Sequence, residues 1–192
     1  MKRLIPFFII FLVYCGGKKQ EKKDPWDEYL PKVQQMFEEV GGDTASLSAL
    51  SDSLYAFYKN HPDSKGRKDA LFYACNWAYA SFNYPKTVER CGEFIQQFPS
   101  SAKVEDAYRF LGYALLQMKK FDEVIEIMSH FIENYPDAAT LGYAYKYRGI
   151  AFTYKGKFKE AKKDLNMAKT MLETLGRYEE IQEIDEALKK LK

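Results

Sequence analysis

The feature that most constrains this chain is an internal period of thirty-seven residues. Pro62, Pro99 and Pro136 recur at that spacing, as do Cys75, Gly112 and Gly149. Ala70, Ala107 and Ala144 form a third series; Tyr84, Phe121 and Phe158 form a fourth; Phe57, Phe94, Phe131 and Ala168 form a fifth. Five series in one register mean stacked copies of one supersecondary unit, each burying its apolar face against its neighbours.

Each unit reads as two helices. From Val104 to Met118, the residues Ala107, Leu111, Ala114, Leu115 and Met118 recur at helical spacing and make an apolar stripe. Phe121 to Asn134 is a second amphipathic stretch, with Val124, Ile127, Met128 and Phe131 on one face. Tyr135-Pro136-Asp137 stops it, because proline cannot continue the hydrogen-bond ladder and restricts the residue before it. Gly112 sits in mid-helix, where glycine costs about 1 kcal/mol relative to alanine. That cost is tolerable where two helices must approach closely.

In the third unit Tyr108, Leu111-Gly112, Leu115, Val124, Met128, Phe131 and Pro136 follow one another in an order that resembles the tetratricopeptide repeat. Tyr145, Gly149, Phe152, Ala161, Leu165 and Ala168 follow it in the next unit, and Leu71, Cys75, Ala78, Thr87, Cys91, Phe94 and Pro99 in the unit before. The resemblance implies an all-α, right-handed solenoid of helical hairpins. Hairpins are expected at about 26–62, 66–99, 103–136 and 140–175, with a closing helix at 178–191. That helix carries Ile181, Ile184, Leu188 and Leu191 on one side, which suits a solenoid's polar-faced end. Gly41-Gly42 and Gly176 read as helix breaks. The turns Pro62-Asp63-Ser64, Pro99-Ser100-Ser101 and Pro136-Asp137-Ala138 lengthen the unit. They are similar to those of exported repeat lipoproteins of the outer-membrane assembly (BamD-like) type, and equally to the repeat domain of periplasmic Tol-Pal coordinators.

The N-terminus reads as an export signal. Lys2 and Arg3 precede an apolar run from Leu4 to Tyr14. Eleven helical residues rise about 16 Å, half of a bilayer core, which is too short to span it but suits a secretory signal. The run ends in Leu12-Val13-Tyr14-Cys15-Gly16-Gly17, which resembles a bacterial lipobox, although Tyr14 stands where a small residue is usual. The resemblance implies cleavage after residue 14 and acylation (palmitate among the chains) of Cys15. Residues 15–25 then form a lipidated tether and 26–192 the repeat domain. Stable anchoring takes more than one acyl chain, as a bacterial lipoprotein carries.

Charge excludes one large class of partners. The chain has 29 Lys and Arg against 27 Asp and Glu, and without Lys2 and Arg3 the balance is even. A neutral protein has no electrostatic footprint for nucleic acid. No catalytic site, cofactor, metal site or small-molecule substrate is expected. His61 and His130 lack companions at metal-ligand spacing. Gly156-Lys157 is followed by Phe158 rather than the Ser or Thr of a phosphate loop. Cys75 and Cys91 fall where the two helices of one hairpin pack, either as a disulfide in an exported protein or as two small core residues.

Binding is expected on the face formed by the first helices of successive hairpins. By register that face receives Phe72, Asn76 and Tyr79, then Arg109, Tyr113 and Leu116, then Lys146, Ile150 and Tyr154. Aromatic platforms with two cations and an amide suit an extended peptide with an aromatic or carboxylate end. The expectation is a non-enzymatic scaffold or adaptor, lipid-anchored in the bacterial cell envelope, with outer-membrane protein assembly implied by the BamD-like resemblance. A Tol-Pal or cell-wall coordinator is the alternative. Lipidation and the absence of long heptads argue against it.

Overall fold

The structure is a computed structural model and describes residues 23–40 and 43–191. The expected export segment, Cys15 and the Gly41-Gly42 break lie outside the described residues. Nine helices are present among the described residues, and no strand. They are α1 (Pro25–Val40), α2 (Thr44–Asn60), α3 (Arg67–Ala80), α4 (Tyr84–Gln97), α5 (Val104–Gln117), α6 (Phe121–Asn134), α7 (Leu141–Tyr154), α8 (Phe158–Thr174) and α9 (Tyr178–Lys189).

Local sequence sets the helix ends. Asp43 caps α2 by accepting from the backbone N–H groups of Ala45 and Ser46, and Asn83 caps α4 through the N–H of Lys86. Helices α2, α4 and α6 stop at His61, Phe98 and Tyr135, each the residue before a repeat proline. All three leave the helical region, with ψ of 67°, 53° and 58°. The reversal inside the second, third and fourth hairpins uses a positive φ at one repeat position: 56° at Phe82, 58° at Lys119 and 71° at Gly156.

Each helix packs on the next, and α3, α5, α7 and α9 also lie side by side in one row. The molecule is therefore an all-α, tetratricopeptide-like solenoid. One continuous core runs from Trp26 through Leu50, Leu71, Phe94, Leu115 and Phe131 to Ala151. A separate small core joins Leu165, Ala168 and Leu172 of α8 to Ile184 of α9.

The repeated small residue marks a close approach within the second, third and fourth hairpins. A Cβ added to Gly112 would stand 2.8 Å from Met128 Cε and 2.9 Å from Tyr147 Cδ2; one added to Gly149 would stand 2.9 Å from Leu165 Cγ. Met128 and Leu165 each lie sixteen residues beyond their glycine. In the preceding hairpin those two positions are Cys75 and Cys91, joined as a disulfide with a Cα–Cα distance of 4.9 Å and a separation of 16. One geometric site thus holds either a glycine under a large side chain or a cross-link.

The entry of the chain into α1 is tied down. Asp24 accepts from Ser64 Oγ at 2.6 Å and from the N–H of Lys65 at 2.9 Å. The Trp26 ring covers Gly66 so closely that a Cβ there would fall 2.0 Å from it.

Candidate functional site

Helices α5, α7 and α9 enclose a recess of about 360 Å³. Five of the residues expected on the binding face line it: Tyr113, Leu116, Lys146, Ile150 and Tyr154. Gln117, Lys119, Phe121, Tyr147 and Glu183 complete the wall. Tyr154 is well exposed and stacks flat on Phe121, with ring centroids 4.4 Å apart and 7° between planes.

Two of the expected residues take different roles. Phe72 is 7% exposed and belongs to the core, 5.4 Å from Phe94 and 6.4 Å from Phe110 between ring centroids. The α4 and α5 side chains cover it, and Lys103 Nζ sits 5.0 Å over its ring. Lys146 is one of the two cations expected on this face. It is 5% exposed, and its ammonium pairs with Glu183 of α9 at 2.5 Å. The reason is that α9 continues the row of first helices. Glu183 stands thirty-seven residues after Lys146, which itself follows Arg109 by thirty-seven. The same register position, one unit further on, is therefore Glu183.

The remaining three do not line the recess. Arg109 is half-buried, pairs with Asp106 at 3.0 Å, and lays its guanidinium over Phe110 at 4.6 Å and Tyr143 at 5.6 Å. Tyr79 stacks on Phe110 at 4.5 Å and meets Tyr113 edge-on at 5.6 Å. Asn76 is half-buried and outside the recess.

A line of phenols follows from this packing. Tyr113 lies 6.2 Å from Tyr147, and Tyr147 lies 6.2 Å from Tyr143. Burial raises the pKa of Tyr79, Tyr113, Tyr143 and Tyr147 above the ordinary phenol value. All four therefore stay protonated at neutral pH and can donate hydrogen bonds. Tyr143 donates to Glu180 at 2.9 Å. Burial opposes ionisation of Glu180, but hydrogen bonding and the nearby Lys146 and Arg177 outweigh it and hold the carboxylate below its usual range. The site thus offers aromatic faces, phenol donors and an internally neutralised ion pair.

Neither histidine belongs to this constellation. His130 Nδ1 hydrogen-bonds the Tyr108 hydroxyl at 3.0 Å, and His61 packs on Phe57 at 4.5 Å. Among the described residues no group of three His, Cys, Asp or Glu side chains could hold a metal ion. No helix among them is long and apolar enough to cross a membrane.

A solenoid with this repeat and these proline turns can be compared with known families. The sequence model of the YfiO family, described as outer membrane lipoproteins, matches residues 64–183, more than half of the chain. The chain belongs to the YfiO outer membrane lipoprotein family. No curated protein matches it. The YfiO match begins in the turn before α3 and ends inside α9 at Glu183. It therefore spans α5 and α7 whole and α9 as far as Glu183, the last residue lining the recess.

Proposed function

We propose that this YfiO-family protein is a non-enzymatic adaptor, anchored in the outer membrane through lipid on Cys15. In this reading the groove along α5, α7 and α9 takes an extended segment of a partner protein during outer-membrane protein assembly. The observation that carries the reading is the recess itself. Its wall combines Tyr113, Tyr147 and Tyr154 with Leu116 and Ile150, which offer large rigid surfaces at low entropy cost. Arg109 is half-exposed beside the phenols, and its pair with Asp106 is a solvent-facing i,i+3 contact that occupies one guanidinium N–H, so donors remain for a carboxylate at one end of the segment. Lys146 is already neutralised by Glu183, so it sets the groove's shape rather than its charge.

The test is crosslinked pull-down from membranes with Arg109→Glu combined with Tyr113→Ala. Partner capture should be abolished while the helical circular-dichroism signal is kept. Capture at the wild-type level by a folded double variant would show that partners bind elsewhere. The same fractionation reports on the anchor, because Cys15→Ala should leave the membrane fraction.

A further inference from the structure

The tip of the fourth hairpin departs from its repeat equivalents in one property, charge. Residues 155–163 carry Lys155, Lys157, Lys159, Lys162 and Lys163 against Glu160 alone, a net charge of four. One period earlier, residues 118–126 carry Lys119 and Lys120 against Asp122, Glu123 and Glu126, a net charge of minus one. Two periods earlier, residues 81–89 carry Lys86 and Glu89 and are neutral. The same backbone is built three times, so the fold does not require these lysines.

Their placement forms one surface. At about 100° per residue, Phe158, Lys162, Lys159 and Lys163 fall on one arc of α8, and Glu160 lies at its far margin. The opposite arc, Ala161, Asp164, Leu165 and Ala168, is buried. All five lysines are exposed. Lys155 pairs with Asp122 at 2.9 Å, and the other four make no ion pair among the described residues. Two rings stand out beside them, Tyr154 at 69% and Phe158 at 56% exposure.

We infer that this tip is a second, electrostatic contact with the membrane, seated on anionic phospholipid headgroups. Clustered lysines on an amphipathic helix are drawn to an anionic bilayer, and aromatic rings settle at the headgroup level. Membership of an outer membrane lipoprotein family puts a bilayer within reach. The tip and the chain entry at Asp24 lie on opposite edges of the solenoid. The nine steps from Cys15 to Asp24 reach up to about 30 Å when extended, against about 21 Å for a fourteen-residue helix such as α7. An anchor at Cys15 and this edge can therefore meet one surface.

The test uses the full chain carrying Cys15→Ser, so that no acyl chain contributes, and measures partitioning onto phosphatidylcholine vesicles with and without about one-third phosphatidylglycerol. Each lysine near an anionic surface is worth about fivefold in partitioning. Replacing Lys157, Lys159, Lys162 and Lys163 with Gln should lower binding to the anionic vesicles by at least about a hundredfold and leave the neutral vesicles nearly unaffected. Raised salt should erase the difference. The four positions are exposed, and an unchanged thermal melt verifies that the variant folds. Equal partitioning of variant and parent overturns the inference, as does an equal loss from Lys119→Gln with Lys120→Gln. If the variant keeps its vesicle binding but fails in cells, the patch serves an acidic protein surface and the lipid assignment is wrong.

Discussion

Gly149→Ala isolates the close approach that the repeat preserves. Two effects oppose each other there. Alanine is better than glycine in a helix interior by about 1 kcal/mol. Against this, the new Cβ would stand 2.9 Å from Leu165 Cγ, 3.0 Å from Cδ2 and 3.2 Å from the Leu165 backbone nitrogen. Leu165 is fully buried, and no rotamer moves its backbone. Overpacking of this kind costs about 1–3 kcal/mol, and the backbone contact argues for the upper half. The net expectation is destabilisation by about 1–2 kcal/mol, or a Tm lower by roughly 2–8 °C for a chain of this size. Gly92→Ala is the matched control. It lies inside α4, and a Cβ there meets nothing within 4 Å. Only the propensity term survives, so its Tm should rise by roughly 2–4 °C. Paired thermal and urea melts read both signs, with an unchanged m-value confirming that the transition is the same. If Gly149→Ala is stabilised in step with Gly92→Ala, helix proximity is not why the small residue recurs.

The Cys75–Cys91 cross-link, with a sequence separation of 16, should stabilise the protein by about 3 kcal/mol, so reduction should lower the Tm markedly. Cys75→Gly with Cys91→Leu imitates the Gly149 and Leu165 pair and should melt above Cys75→Ser. If it melts no higher, the two solutions are not interchangeable. Glu93 gathers Tyr55, Tyr58 and Lys59 at 2.6, 2.8 and 2.7 Å. Burial works against its ionisation, but these partners prevail and its folded pKa lies below the ordinary 4.5. The stability it contributes is present above pH 4.5 and is lost as pH falls through the lower folded value. Glu93→Gln should therefore show a flatter acid limb in a stability-versus-pH profile, and an unchanged limb would remove Glu93 from the acid transition.

The helices and their order were legible because they depend on local, repeated features. Apolar residues at helical spacing, a proline after each second helix and a small residue in each first helix carry most of their meaning within one unit. Tyr113, Leu116, Ile150 and Tyr154 could be placed for the same reason, since a register position fixes the face of a helix. The bridge was less legible. The sequence put Cys75 and Cys91 at packing positions but could not say whether the helices come close enough to join them. The structure answers with a Cα–Cα distance of 4.9 Å.

What the sequence determined by itself is the repeated helical unit and the register position of each residue within it. What only tertiary structure decided is which residues on that face stay open. Phe72 and Lys146 hold equivalent register positions, yet one is closed over by α4 and α5 and the other by an ion pair from α9. Burial is set by what packs on top, and part of that cover, Phe110 over Phe72 and Glu183 over Lys146, comes from the next unit. The same reason leaves Phe158 exposed while Phe121, its equivalent, lies under Tyr154. Periodicity makes the units alike, and their neighbours make them different.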